Sequence, residues 1–478
     1  MRKLRIIFIV FLLFVSTFSL LEAKDQKFLI DSSSGWLSNS TIIFDADGKL
    51  GLLTYCEHDY DNDTYVMKVQ KLKYLMNKKK LKLVKKPYVV NASELSDMGI
   101  KYFNQPYTWF NPSRGSGYVV WTDYPDVSPS SVYIAQLDIK KGKIIGKPYR
   151  VPGPTGAAKF TEGDKIDCYM PMGCAFGLFN VVVYSTRINN SQDEKYLGLY
   201  MGFTNPLILS HGPQRIAKGS VEDNVKIGER SDIATLFLTC KATAISCAAC
   251  QDSIVVAFVR QKYDPDRQYA ITLACAGKID VGEVPGDKNS RSECGCSGDI
   301  EILPCDEWEV EVAELSQDFS NPTSVSPVGP LKNQPEGNGN ETPSIFTLWL
   351  FEQDPRLSNL SCNEWKFNKI LEDKIKVIEE VWALPNEGFD NSVDSNVKLT
   401  NHWVGYSQKS GGHFLYQGMD ASKKKIKFIG KIRKSQTVGK EIFNINVTGH
   451  GGCAFITYVN KDIKAMKTQL NLYKQDLK

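Results

Sequence analysis

Short apolar runs that end near an aromatic residue recur seven times along the 478 residues of the chain. Each run is four or five residues long and contains few polar side chains, so it predicts a buried β-strand and not a core helix. The aromatic residues of these runs are Tyr55, Trp121, Tyr184, Phe258, Trp349, Tyr406 and Tyr458. Successive members lie 52 to 91 residues apart, which indicates a repeating unit.

Each of the first units continues in the same order after its apolar run. A polar loop is followed by an alternating strand, a hairpin turn and a closing strand; two closing strands, beginning at Lys86 and Lys147, both start Lys-Pro-Tyr. Units of three or four antiparallel strands are typical of propeller blades, and a closed ring of them removes most exposed sheet edges. We therefore predict an all-β fold: a single β-propeller of seven four-stranded blades. Eight blades and paired β-sandwiches are the alternatives.

The two ends of the repeat complement each other. The last unit lacks an outer strand, and one strand precedes the first unit at residues 27–30, with Lys27 first and Ile30 last. This strand is expected to complete the last blade and close the ring. The longest spacing, between Phe258 and Trp349, contains a Cys-rich and then Gly/Pro/Asn-rich segment at about 285–342, which we interpret as an insertion. Residues 368–380 are the only candidate for a long helix.

The first 23 residues are typical of a secretory signal. Arg2, Lys3 and Arg5 precede an apolar run at residues 6–15, which is too short to span a bilayer. Cleavage after Ala23 is expected to leave a propeller domain at residues 24–478 that is secreted, extracellular and without a membrane span. A retained signal anchor is the alternative.

Charge and composition then narrow the class of partner. The whole chain carries a net charge of +4; the signal contributes +2, from three basic residues and Glu22, which leaves +2 for the mature chain. This near-neutral balance argues against a nucleic-acid partner. The hydrophobic fraction of 42% is ordinary for globular proteins and excludes general disorder.

Secretion also changes how the 12 cysteines are interpreted. In an oxidising compartment they are expected to form disulfide bonds rather than to bind metal. Cys168 and Cys174 enclose a short loop and are the best single pair. Seven others lie between Cys240 and Cys305, where the sequence leaves the pairing open. The candidate N-glycosylation sites are Asn39, Asn62, Asn91, Asn189, Asn340, Asn359 and Asn446.

Acidic and aromatic residues collect in the loops that follow the aromatic runs. In a propeller these second-to-third-strand loops open on the same side as the central mouth. The candidate ligand-binding residues are Asp59, Asp61, Asp123, Asp126, Asp264, Asp266 and Asp354. Asp59, Asp61 and Asp63 alternate as in calcium loops, so calcium is the candidate cofactor, although the Gly and Glu of such loops do not follow and a solvated turn is the alternative.

The opposite hairpins, between third and fourth strands, are rich in lysine. They contain residues 78–80, 140–143 and 423–425. With this assignment of blades the disc is expected to have one acidic face and one basic rim, which would orient charged partners. Solvated turns have a similar composition, and this is the alternative interpretation.

The chain resembles secreted β-propeller proteins in general, over nearly all of its mature length, and matches no subfamily signature. Architecture does not fix function. The five histidines lack metal-site spacing and no nucleophile elbow is present, so no catalytic residue is predicted. The scarcity of histidine and the missing catalytic motifs favour a secreted, disulfide-stabilised propeller that recognises a glycan or an extracellular protein. A propeller glycoside hydrolase with central carboxylates and an adhesive coat or matrix component are the alternatives.

Overall fold

The structure is a computed structural model that describes residues 26–61, 63–90, 102–123, 130–154, 166–176, 178–188 and 198–218, a few single positions between them, and from residue 240 onward the strands alone. The predicted signal, residues 1–23, lies outside this part. Within it the chain forms 29 β-strands and one 3-10 helix, Met76–Lys78. None of the described helical residues belongs to a helix long and apolar enough to cross a membrane.

The described strands pair into seven antiparallel sheets that follow one another along the chain. Strand β1 (Gln26–Ser33) precedes the first of them. The first sheet contains β2 (Trp36–Phe44), β3 (Leu50–Asp59), β4 (Thr64–Leu75) and β5 (Lys80–Val90). The second contains β6 (Asn104–Asn111), β7 (Ser116–Asp123), β8 (Ser131–Asp138) and β9 (Lys143–Arg150). The third contains β10 (Ile166–Phe176), β11 (Phe179–Ile188), β12 (Gly198–Thr204) and β13 (Leu209–Lys218).

The later sheets repeat this order. The fourth contains β14 (Cys240–Ser246), β15 (Gln251–Gln261), β16 (Tyr269–Asp280), β17 (Ile300–Glu301) and β18 (Glu309–Val312). The fifth contains β19 (Ser320–Val328), β20 (Ser344–Asp354), β21 (Leu357–Phe367) and β22 (Ile375–Asn386). The sixth contains β23 (Asn391–Asp394), β24 (Asn401–Gln408), β25 (His413–Asp420) and β26 (Lys425–Ile432). The seventh contains β27 (Glu441–His450), β28 (Cys453–Asp462) and β29 (Lys467–Asp476), with β1 as its fourth strand.

The aromatic runs occupy one position in all seven sheets. Tyr55 lies in β3, Trp121 in β7 and Tyr184 in β11, and the other four lie in β15, β20, β24 and β28, so each run is the second strand of its sheet. The first strands of successive sheets contact one another from β2 to β27, and β27 contacts β2. Repeated four-stranded antiparallel sheets in this sequence are the architecture of a β-propeller.

The hydrophobic core is divided among the spaces between neighbouring sheets. Leu53 packs in a cluster shared with the seventh sheet, and Leu52 packs in one shared with the second sheet. In β7, Val119 and Val120 likewise belong to different clusters. Because successive side chains of a strand face opposite sides of the sheet, a strand covered on both sides is apolar throughout. This explains why the runs are continuous rather than alternating.

Strand β1 is held by both backbone and side chains. It pairs antiparallel with β29, with Lys27 opposite Tyr473. Its Asp31 carboxylate lies 2.7 Å from the Lys68 ammonium and accepts a 2.9 Å hydrogen bond from the Tyr55 hydroxyl. Glu57 lies 2.7 Å from the same Lys68 nitrogen. We call Asp31, Tyr55, Glu57 and Lys68 the latch network, since it joins β1 to β3 and β4.

A second contact joins the first and seventh sheets at their hairpin turns. The His450 ring, at the end of β27, stacks on Phe44 with ring centroids 4.6 Å apart. Gly48, in the β2–β3 turn, has φ of +65°, and a β-carbon added there would lie 1.8 Å from His450 Nε2. The glycine is therefore required both by the backbone conformation and by the close approach of the imidazole.

One expectation differs from the structure in the later part of the chain, and the interpretation of residues 285–342 as an insertion stays a prediction. The segment expected to be an insertion, about 285–342, contributes β17 and β18, which both pair with β16, and β19, which is the first strand of the fifth sheet. The segment proposed as a helix, residues 368–380, overlaps strand β22. Its β-branched side chains favour the extended conformation.

Candidate ligand-binding surface at the β3–β4 turn

Aromatic rings cluster where β3 ends and β4 begins. The His58 imidazole stacks on Tyr65, with centroids 4.1 Å apart and an interplanar angle of 5°. Tyr60, in the turn, packs edge-to-face with the His58 ring, with centroids 4.7 Å apart, and is 58% exposed. Tyr102, which leads into β6, lies 6.2 Å from Tyr65. We call His58, Tyr60, Asp63, Tyr65 and Tyr102 the Tyr60 surface.

Carboxylates border these rings. The Asp63 carboxylate lies 3.0 Å from His58 Nε2 and is largely exposed, so it orients the imidazole against Tyr65. The Asp59 carboxylate accepts the backbone N–H of Asp61 at 3.0 Å, which closes the turn. Asp59 and Asp63 are thus engaged within the turn. No group of three or more His, Cys, Asp or Glu side chains in the described part of the chain is arranged to hold a metal ion.

The second sheet contributes to the same region through Asp123. Its carboxylate accepts the backbone N–H of Tyr102 at 2.9 Å, and the side chain is only 5% exposed. We predicted Asp123 as a ligand-binding residue, but its burial and this bond give it a positioning role. It fixes the segment that carries the Tyr102 ring beside Tyr65.

The remaining predicted acidic residues are dispersed. Asp354 ends β20, so it lies at the second-to-third-strand connection of its sheet, as expected. Asp126, Asp264 and Asp266 lie outside the described residues, at the β7–β8 and β15–β16 connections. Among the predicted acidic residues in the described structure, those of the β3–β4 turn and Asp123 are therefore the ones found beside the aromatic side chains of the Tyr60 surface.

The pKa of the Tyr65 phenol, at the base of the Tyr60 surface, is shifted by its surroundings. Burial raises this pKa, and the neighbouring Cys56, Asp63 and Tyr60 raise it further. The phenol therefore remains neutral through the neutral pH range and keeps its hydroxyl hydrogen as a donor. The Cys56 thiol beneath it is fully buried and donates to the Phe103 carbonyl at 2.9 Å.

The cysteine prediction differs from the structure. Cys168 and Cys174 are not bonded to each other, and none of the four cysteines whose side chains the structure describes is in a disulfide. Both belong to β10, and six residues of strand separate their α-carbons by up to about 20 Å, beyond the reach of a disulfide. Burial raises the pKa of the Cys174 thiol to about 12, so it stays protonated. A strand thus replaces the predicted loop.

The predicted glycosylation sites divide into two groups. Asn39, Asn359 and Asn446 lie within strands β2, β21 and β27. Asn62, Asn91, Asn189 and Asn340 lie outside the described residues. Asn446 is partly buried, which makes it a poor acceptor unless it is modified before folding.

The acidic residues of the β3–β4 turn can be recognised in the sequence, but two of the four rings of the Tyr60 surface lie outside residues 58–63. Tyr65 and Tyr102 were not predicted. The alternation of β4 places Tyr65 on a strand, but its stacking on His58 depends on the register of the β3–β4 hairpin, in which the two residues lie directly opposite each other. Tyr102 is positioned by Asp123, a contact between residues 21 positions apart.

No protein-family model matches the chain, and no curated protein sequence matches it either. Among solved structures, the β-propeller domain of Cps50 (Swd1) from Myceliophteria thermophila is 7% identical, with a TM-score of 0.41, covering 93% of this chain and 99% of that one. The β-propeller domain of the trilobed protease from Pyrococcus furiosus is 8% identical, with a TM-score of 0.36, covering 92% and 96%. An endo-arabinase from Bacteroides thetaiotaomicron is 12% identical, with a TM-score of 0.35, covering 74% and 98%. The strand pairing, rather than these distant similarities, defines the architecture of this chain as a β-propeller.

Proposed function

We propose that the protein is a seven-bladed, closed propeller that binds a glycan through the Tyr60 surface. Exposed and stacked rings beside carboxylates carry this proposal. Tyr60 offers a half-exposed aromatic face, and the adjacent Asp61 and Asp63 side chains are exposed as well. Sugars present C–H groups that lie against aromatic faces and hydroxyl groups that donate to carboxylates, so this set of side chains suits them.

The rigidity of the surface supports a binding role. The His58 ring is fixed between Tyr65 and Asp63, and Tyr102 is fixed by Asp123. Side chains held in place before binding lose little conformational entropy when a ligand arrives. Exposed aromatic anchors surrounded by polar groups are the usual centres of binding energy.

Seven sheets and their contacts support the closed ring. The contact between β27 and β2, and the pairing of β1 with β29, join the two ends of the chain. A ring closed in this way holds the second-to-third-strand loops of all blades at one side, where further loops add to the ligand contacts. Secretion, N-glycosylation and calcium dependence are parts of the same proposal.

A glycan array probed with the purified protein tests the proposal. Tyr60→Ala is expected to weaken the affinity for an array hit about tenfold, because it removes the exposed ring. Ile208→Ala is the matched control: Ile208 is 63% exposed and lies between β12 and β13, a third-to-fourth-strand connection. Equal effects of the two variants, or no glycan bound at all, would contradict a glycan site at the Tyr60 surface.

Cellular processing is tested separately. Expression in a eukaryotic cell should release the protein into the medium, with a mass that falls after treatment with an N-glycosidase. Retention in the cell membrane would favour the signal-anchor alternative. Addition of a calcium chelator should lower the melting temperature if the Asp59–Asp63 turn holds calcium, and an unchanged temperature would remove that part of the proposal.

A further inference from the structure

Lysines without acidic neighbours dominate the outer part of the first sheet. Between Asp63 and Glu94 the sequence contains nine lysines and no aspartate or glutamate. Those on β5 and the turn before it are exposed, and no described carboxylate lies within ion-pair distance of any lysine from Lys71 to Lys86. Their positive charges are therefore not neutralised by the described part of the protein.

The second sheet extends this charge. From Asp138 to Glu162 the chain again has basic residues and no acidic ones. The Lys71 ammonium donates a hydrogen bond to the Lys140 carbonyl, and the Lys143 ammonium lies 5.0 Å from the centre of the Tyr88 ring. The two sheets are thus in contact along their basic segments. We call this surface the basic edge: Lys78, Lys79, Lys80, Lys82, Lys85, Lys86, Lys140, Lys141 and Lys143.

A β-bulge shapes the middle of the basic edge. The register between β4 and β5 shifts between Val69 and Lys71, and Lys85 has φ of +64°. The buried Gln70 side chain donates to the Lys85 carbonyl at 3.3 Å and to the Lys71 carbonyl at 2.8 Å. The bulge therefore exposes Lys85 and Lys86 side by side on a backbone that is held in place.

Lysine on an edge strand also prevents unwanted pairing with another chain. That role needs one or two charges on each edge. It does not require that acidic residues be missing over the whole of β4, β5 and the turn, nor that the charge continue onto the second sheet. We propose that the basic edge binds a linear sulfated polysaccharide.

One observation and the proposed secretion favour a sulfated chain over a lipid surface. The lysines follow strands and turns on two successive sheets, an elongated arrangement that a flexible polyanion can follow from one sheet to the next. The inference rests here on the proposed secretion, which would place the protein outside the cell, whereas anionic lipids give their negative surface potential chiefly to the cytoplasmic leaflet. The ammonium group is a compact point charge suited to sulfate oxygens.

Heparin, a sulfated polysaccharide, is the probe. Its affinity for the full-length secreted protein is measured by surface plasmon resonance between 50 and about 300 mM NaCl, and a steep loss of affinity with salt is expected. Lys80→Gln/Lys82→Gln on the first sheet and Lys141→Gln/Lys143→Gln on the second are each expected to weaken binding about tenfold and to reduce the salt dependence. The variant that combines all four substitutions should lose about 100-fold in heparin affinity if both sheets contribute independently.

Lys461→Gln/Lys467→Gln is the control, because it makes the same change in net charge at exposed lysines on β28 and β29. It is expected to leave heparin affinity within twofold of the parent. Equal weakening of heparin binding by the control variant and the basic-edge variants would show that net charge alone is responsible, and would overturn the proposal. Absence of heparin binding at 50 mM NaCl would do so as well.

Phosphatidylserine vesicles form the competing arm, because Met76, Val89 and Ile145 are also more than 40% exposed in this region. Weaker binding to vesicles than to heparin at equal salt supports the polysaccharide. Binding to vesicles without binding to heparin overturns it. Circular dichroism of each variant confirms that Lys→Gln changes at exposed sites leave the fold intact.

Discussion

Replacing Lys68 with methionine should loosen the N-terminal strand from the first sheet. The ammonium lies 2.7 Å from both the Asp31 and Glu57 carboxylates, and the three side chains are only 15–20% exposed. Methionine fills the same space but leaves two carboxylates facing each other without a cation. Removal of one partner from a fully buried ion pair costs about 3–5 kcal/mol.

Partial exposure lowers this cost. Two carboxylates about 5 Å apart repel by about 3 kcal/mol at the effective dielectric constant of 20 that suits sites near a protein surface. Water at the exposed edges of Asp31 and Glu57 screens part of this repulsion. We therefore expect Lys68→Met to destabilise the attachment of β1 by about 2–3 kcal/mol.

Hydrogen–deuterium exchange of the peptide that covers β1 measures this quantity locally. A loss of 2–3 kcal/mol corresponds to exchange that is about 30- to 150-fold faster. Lys49→Met is the matched control, since Lys49 and Asp47 are 3.4 Å apart but 66% and 72% exposed, so their pair should contribute less than about 0.5 kcal/mol. An equal increase of the exchange rate in both variants, or an increase of less than threefold in Lys68→Met, would refute the reasoning.

A neutral version of the latch network separates charge from packing. In Lys68→Met/Asp31→Asn/Glu57→Gln no charge remains buried, and buried ion pairs are often replaced by neutral groups at little cost. Most of the lost protection of β1 should therefore return. If protection stays low, the contribution of Lys68 is packing of its alkyl chain and not neutralisation of the two carboxylates.

Alkaline pH acts on the same network. Burial disfavours the charged form of Lys68, but hydrogen bonds to Asp31 and Glu57 and their charges outweigh it, so the pKa is raised above 10.5. Burial and the neighbouring Asp31 and Glu57 charges also raise the pKa of Tyr55. Both groups bind protons more tightly in the folded protein, so their stabilisation is complete below about pH 10 and falls as the pH rises further.

Three other predictions concern the junction of the first and seventh sheets. Gly48→Ala should destabilise the protein by about 2 kcal/mol or more in urea unfolding, whereas Gly115→Ala, with φ of +60° and no atom within 4 Å, should show only the smaller backbone strain. Burial lowers the pKa of His450 although the Gly48 backbone and Asp45 oppose it, so stability should fall as the pH drops below about 6.5, and His450→Phe should remove this dependence. Deletion of residues 24–31 removes the pairing of β1 and the buried Ile30, and an unchanged melting temperature would contradict closure by this strand.

Local sequence patterns were sufficient to predict the strands that are buried on both faces of their sheet. Tyr55, Trp121 and Tyr184 are fully buried, and their apolar runs could be recognised without any knowledge of partners. Strand β19 could not, because its sequence, SNPTSVSPV, is typical of a loop. It becomes a strand only by pairing with β20, and such pairing energy is not encoded locally.

The candidate site shows the same division. Acidic turn residues such as Asp61 and Asp63 were predicted from composition alone, whereas Asp123, predicted in the same way, is buried and accepts a hydrogen bond from the Tyr102 backbone. The latch network was missed entirely: Asp31 and Lys68 are 37 residues apart, and each is ordinary in its own strand. A contact of this kind depends on which strands become neighbours, which follows from the whole fold.

The order of strands also separates the two proposed binding surfaces. Asp63 precedes the first residue of β4, whereas Lys80 is paired with Leu75 at the other end of that strand, about 36 Å away at 3.3 Å per residue. The screening length in physiological salt is about 8 Å, so charges at the basic edge have little influence at the Tyr60 surface. Lys80→Gln/Lys82→Gln should accordingly leave the affinity of a glycan at the Tyr60 surface within twofold. A larger change would mean that β4 transmits a structural response between the two surfaces, since direct electrostatic interaction does not reach that far.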